Sequence, residues 1–152
     1  MTTVLAPLIS DTARFLRRRF DARARTVGVS RAQWTVLFAL SRNEGINQAG
    51  LADMLEVETI TVGRMVDRLE EAGLVERRAD PADRRAWRLH LMPRAHPVLR
   101  ALRQVADTVM DEALAGIDAA EQDQLVELLT RLRANLSGRC DPDLPVKSAG
   151  VR

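Results

Sequence analysis

A mainly α-helical chain carrying one small β-hairpin, an α+β arrangement, is the fold class this sequence predicts, and three observations lead to it. Apolar residues recur at i, i+3, i+4 and i+7, as Val62, Met65, Val66 and Leu69 do, the spacing that gives a helix one face to bury. One segment, Ala86-Trp87-Arg88-Leu89-His90-Leu91, instead alternates like a strand, and it follows the turn-forming Asp80-Pro81-Ala82-Asp83. The 152 residues are 46% hydrophobic but only 3% aromatic, so one domain with a core built of Leu, Val and Ala is expected.

Leu5 to about Arg25 reads as the first helix, with a stripe of Leu5, Ile9, Thr12, Leu16 and Phe20 and with Pro7 in its first turn. Arg14 to Arg25 holds six arginines against the single acid Asp21, while Gln104 to Thr130 holds seven acids and no base. That arginine face suits a DNA-binding arm or, the reading favoured, a solvated face with ion-pair partners on the acidic later helices. Gly28 breaks the pattern, and Ser30 caps a second helix over Arg31 to Arg42, in which Trp34, Leu37, Phe38 and Ser41 share a face. Asn43-Glu44-Gly45 is a turn, and Ile46 is expected in a short strand.

Asn47 is the N-cap of a shorter helix whose apolar residues are Leu51, Ala52 and Leu55, and the residues around Glu56 to Glu58 join it to the Val62–Leu69 helix. Two helices so joined are a helix-turn-helix arrangement. The outward face of the second carries Thr59, Thr61, Arg64, Arg68 and Glu71, hydroxyls and guanidiniums suited to base edges and phosphates. Gly73 stands where a left-handed residue ends the helix, and Leu74-Val75 starts the hairpin, whose tip carries Arg84 and Arg85. Arginine at a hairpin tip can enter a narrow minor groove.

After Met92-Pro93, with Pro93 in its first turn, a long helix is expected, apolar through Val98, Leu102, Val105 and Val109 and flanked by Ala101, Ala106 and Met110. Apolar surface on more than one side calls for a second burial surface, most simply a partner subunit. Gly116 ends this helix; Asp118 with Glu121 starts another, striped by Leu125, Leu128, Leu129, Leu132 and Leu136. Residues 138–152 are polar and rich in Pro and Gly, a flexible tail.

The segments LADML, TVGRMVDRLEEAGLVERR and DPADRRAWRLHL, in this order, resemble the MarR-type winged helix-turn-helix transcriptional regulators, and the order of elements matches from Phe15 to Leu136. The resemblance implies one domain over 1–137, with a winged helix-turn-helix lobe at about 30–92 and dimerisation helices at 4–26 and 94–137. It implies that Arg64 and Arg68 are recognition-helix arginines, Arg77 a strand arginine near the DNA backbone, Arg85 the wing arginine and Asp83 its brace. It further implies a homodimeric repressor of a pseudo-palindromic operator on double-stranded DNA, relieved by a small apolar or aromatic effector in a cleft near Phe20, Trp34 and Phe38. Two positions depart from the family pattern: Gly63 stands where Ser or Thr is usual, and Glu58 replaces a Ser-like cap.

No phosphate-cradling Gly loop, HExxH, CxxC pair or GxSxG elbow occurs, so neither an enzyme nor a cofactor is expected. His90 and His96 lack ligand-spaced partners, and no metal site is expected. Cys140, the one cysteine, cannot form an internal disulfide, no apolar run approaches the roughly 20 residues of a membrane span, and MTTVLAPLISD lacks the order of a secretory signal; a cytoplasmic protein without membrane association is expected. The alternative function is a winged-helix protein-interaction module docking an acidic partner.

Overall fold

The computed structural model describes residues 2–83 and 86–137. Among them run helices α1 (Thr2–Ala24), α2 (Arg31–Arg42), α3 (Gln48–Leu55) and α4 (Thr59–Glu71), strands β1 (Val75–Ala79) and β2 (Trp87–Leu91), then α5 (Ala95–Ala113) and α6 (Ala119–Ser137). The strands pair antiparallel, with Val75 opposite Leu91 and Ala79 opposite Trp87. The described chain divides between Ala113 and Leu114 into two compact units. No helix of the described residues is long and apolar enough to cross a membrane.

Local chemistry sets most boundaries of the first unit. Ser30 and Gln33 form a reciprocal capping box at the start of α2, and the Asn47 side chain accepts from the Gly50 N–H at 2.8 Å to start α3. At the end of α4 the Gly73 N–H donates to the Glu70 carbonyl and the Leu74 N–H to the Leu69 carbonyl, a closure that needs the left-handed backbone Gly73 adopts at φ 68°. The core then follows the apolar spacing: Leu37 and Leu40 of α2, Leu51 of α3, Val62, Val66 and Leu69 of α4, Leu89 of β2 and Leu102 of α5 are fully buried. Each such side chain contributes about 1.5–3 kcal/mol through removal from water.

Four expectations are corrected. Helix α1 begins at Thr2, so Pro7 lies inside it rather than in its first turn; the missing N–H forgoes one bond, to the Thr3 carbonyl, in a helix of 23 residues. Pro93 precedes α5, and it is Pro97 that occupies the first turn. The strand expected at Ile46 reduces to an isolated bridge between Asn47 and Arg88, where the Leu89 N–H donates to the Ile46 carbonyl at 3.0 Å. Finally, most of the apolar surface of α5 is taken up by the chain's own core, since Leu99, Leu102 and Val109 are buried and Val98, Val105 and Ala106 half-buried. Exposed apolar side chains cluster instead on α1, at Val4, Leu5, Leu8 and Phe15.

The arginine face of α1 finds acidic partners within the first unit: Arg23 pairs with Glu112 of α5, and Arg19 lies 4.0 Å from the same carboxylate. In the second unit, Asp118 and Glu121 exchange hydrogen bonds of 2.9 Å as a capping box, and Leu125, Val126, Leu128, Leu129 and Leu136 of α6 are exposed. Cys140 and the expected tail lie outside the described residues.

Candidate nucleic-acid interface

The turn between α3 and α4 is closed by backbone geometry. Glu56 takes a left-handed conformation at φ 53°, and the Val57 N–H reaches back to the Ala52 carbonyl at 3.1 Å. Glu58 then begins α4 without a side-chain cap, as its departure from a Ser-like residue implies. Burial of Val62, Val66 and Leu69 turns the opposite face outward, where Thr59, Thr61, Arg64 and Arg68 are all exposed. Among the described residues neither Arg64 nor Arg68 has an ion-pair partner; Asp67, the acid that could have taken one of them as a helix-surface companion, is paired elsewhere.

Its partner is Arg77 of β1. The Arg77 Nη2 donates to the Asp67 Oδ1 at 2.7 Å and to the Gly63 carbonyl at 3.3 Å, Nη1 pairs with the Glu70 carboxylate, and the Arg77 backbone N–H donates to the Glu70 Oε1 at 2.8 Å. The side chain is only 21% exposed. Arg77, expected near the DNA backbone, is thus a tie between the hairpin and α4. Gln48 extends the tie to α3 by donating to the Thr59 carbonyl at 3.2 Å. Gly63 makes room for it: a Cβ there would lie 3.1 Å from the Gln48 Nε2.

The hairpin tip is organised by Asp80. Its Oδ1 accepts from the Ala82 N–H at 2.9 Å, its Oδ2 from the Arg88 Nε at 2.8 Å, and the Asp80 N–H donates to the Ala86 carbonyl at 3.0 Å. The Ala82 N–H above all, then Arg88 and the Asp83 N–H, outweigh partial desolvation and hold the Asp80 carboxyl below the usual carboxylate range. Asp83, expected as the brace, is exposed and closes the tip through its carbonyl, which accepts from the Ala86 N–H at 2.9 Å. Arg84 and Arg85 lie outside the described residues.

The expected aromatic cleft forms within the first unit. Phe20 and Trp34 meet edge to face with centroids 4.7 Å apart, and Phe38 completes the cluster at 6.0 and 5.9 Å from them. With Leu16, Ala106, Val109 and Met110 they line an open cavity of about 250 Å³, with Arg17 as the one charged residue at its wall. The Trp34 Nε1 donates to the Asp21 Oδ1 at 3.0 Å. Burial raises the Asp21 carboxyl, but the hydrogen bonds from Arg31 and Trp34 outweigh it and leave the group below its usual value.

Sequence reasoning placed Asp80 in the turn, its side chain free to bond a nearby backbone N–H, but gave the bracing to Asp83; it missed Gln48, which nothing local marks because its partner lies eleven residues away. Among the described residues there is no group of three or more His, Cys, Asp or Glu able to hold a metal ion.

The MarR family model matches residues 27–86. Among solved structures, the chain is 37% identical to transcriptional regulator PA3341, covering 89% of this chain and 99% of that one with a TM-score of 0.76. It is 26% identical to a MarR structure, over 89% and 98% of the two chains with a TM-score of 0.77. A mutant MarR from E. coli complexed with operator DNA matches at 25% identity, over 84% and 92% of the two chains, with a TM-score of 0.72.

Proposed function

The chain belongs to the MarR family and is a transcriptional regulator, and from that premise we propose that it acts as a homodimer that binds a pseudo-palindromic operator and represses transcription until a small apolar or aromatic molecule binds. The observation that carries the DNA-binding part is the division of labour on α4: Arg77 engages Asp67 and Glu70, while Arg64 and Arg68 stay exposed on the outward face. A helix fixed on one side and carrying guanidiniums and hydroxyls on the other has the shape and chemistry to enter a major groove. The likeness to a MarR bound to operator DNA supports the same reading.

In this mechanism α4 lies in the major groove, with Arg64 at base edges, Arg68 at a phosphate, and Thr59 and Thr61 donating at the groove entrance. Arg84 and Arg85 follow the backbone into the neighbouring minor groove, and Asp80, helped by Asp83, keeps the tip in shape. Two copies place their α4 helices about 34 Å apart, one helical turn of DNA. The exposed apolar side chains of α1 and α6 supply surface for pairing.

The effector reading rests on the cavity lined by Phe20, Trp34 and Phe38, walled by α1, α2 and α5. A ring held there packs against α1 and α5 on one side and α2 of the lobe on the other. It shifts the separation of the two α4 helices only so far as it binds the two arrangements with different affinity. Selection of duplexes from a random pool by the full chain, followed by gel-shift titration over a salt series, tests the DNA-binding reading. An enriched inverted repeat with a steep salt dependence is expected; no duplex binding at low salt favours docking to an acidic protein instead.

A further inference from the structure

Ile60 stands out on α4. It is 68% exposed, and it lies one turn before Arg64, at i and i+4, on the outward face. Neither packing nor helix formation accounts for an isoleucine there. The apolar contact that often fixes a helix entry joins the residue before the cap to the fourth residue inside; around Glu58 these are half-buried Val57 and buried Val62, so Ile60 is not needed for it. A β-branched residue also favours an exposed helical position less than Ala, Glu or Gln.

The side chains around it, Thr59, Thr61 and Arg64, can all hydrogen-bond, so Ile60 is an apolar point within a polar, groove-facing surface. A major groove presents donors and acceptors at every base pair, and its one apolar feature is the C5-methyl group of thymine. An isoleucine pressed against any other base edge strips water from polar atoms and returns no hydrogen bond. We propose that Ile60 recognises a thymine methyl group in each operator half-site and is a specificity-determining residue. The proposal rests on the DNA-binding reading above and adds to it the identity of one base.

The test uses the full chain and duplexes it has itself enriched from a random pool. Each thymine of a half-site is replaced in turn by deoxyuridine, which removes the methyl and leaves every hydrogen-bonding group in place, and affinity is measured at fixed salt. At one position per half-site the parent is expected to bind the deoxyuridine duplex about fourfold more weakly, the effect of one methyl returned to water. Ile60→Ala still binds but no longer distinguishes the two bases there, while Ile60→Val keeps most of the distinction. A parent indifferent to deoxyuridine at every position, or an Ile60→Ala variant that keeps the parent's distinction, overturns the proposal and leaves DNA binding intact. Enrichment of no duplex at low salt overturns the DNA-binding reading and this proposal with it.

Discussion

Arg77 of β1 sets its Nη2 2.7 Å from the Asp67 Oδ1 of α4, across the ten residues that carry the chain from helix to hairpin. With Glu70 and the Gly63 carbonyl on the same guanidinium, the hairpin and the helix proposed to enter the groove are held as one piece.

Replacing Arg77 therefore tests its role as a tie against a role as a phosphate contact. Arg77→Gln is expected to lower stability by about 1–3 kcal/mol in urea titration, because two carboxylates lose a partly buried cation. Its salt slope of DNA binding should equal the parent's, whereas Arg68→Ala should reduce the slope by about 1. A reduced slope with unchanged stability in Arg77→Gln reverses the assignment.

On the outward face the expectation differs. Arg64→Ala should change the sequence logo selected from random duplexes, and an identical logo for variant and parent removes Arg64 from base recognition. Arg85, assigned from the sequence alone, should cost roughly 1–3 kcal/mol of binding when replaced by Ala. Unchanged affinity of a folded Arg85→Ala variant at fixed salt places the wing contact elsewhere.

The hairpin tip should be sensitive to acid. The Asp80 carboxyl is held below its ordinary value by the Ala82 N–H first, and by Arg88. A depressed value in the fold means that this stabilisation is present above the unfolded value of about 3.9 and is lost as pH falls through the lower, folded value. The Ala82 amide resonance should shift in that acidic range, and Asp80→Asn should show a displaced resonance already at neutral pH. An Ala82 resonance that is the same in Asp80→Asn and parent, and unmoved by acid, contradicts the arrangement.

For the aromatic cavity the reporter is Trp34. Titration of a Trp87→Phe variant with single-ring aromatic compounds should quench the remaining indole, and Phe20→Ala should abolish saturable quenching while enlarging the cavity. Equal quenching in both variants would show collision with exposed indole rather than a site.

What the sequence made legible was local. Ser30, Asn47 and the Asp118 with Glu121 pair announce helix starts because their partners lie three residues away, and Gly73 announces an end because so few residues adopt its backbone. Long-range choices were not legible. Arg77 had several acids within reach of its strand, and only packing of β1 beside α4 selects Asp67 and Glu70. The breadth of apolar surface on α5 suggested an outside partner because periodicity does not reveal that α1 and α2 cover the helix on more than one side. Ile60 escaped notice for a related reason: in a helix striped by Val62 and Val66, one more apolar residue reads as core until its direction is known.

In the proposed complex two copies of the chain present α4 to successive major grooves. Hydroxyl-radical footprinting of the full chain on a selected duplex, with the complex sized by sedimentation in the same buffer, tests it most directly. Two protected segments about 34 Å apart, one helical turn, in a complex of two chains per duplex are expected. A single protected segment under one chain contradicts the account.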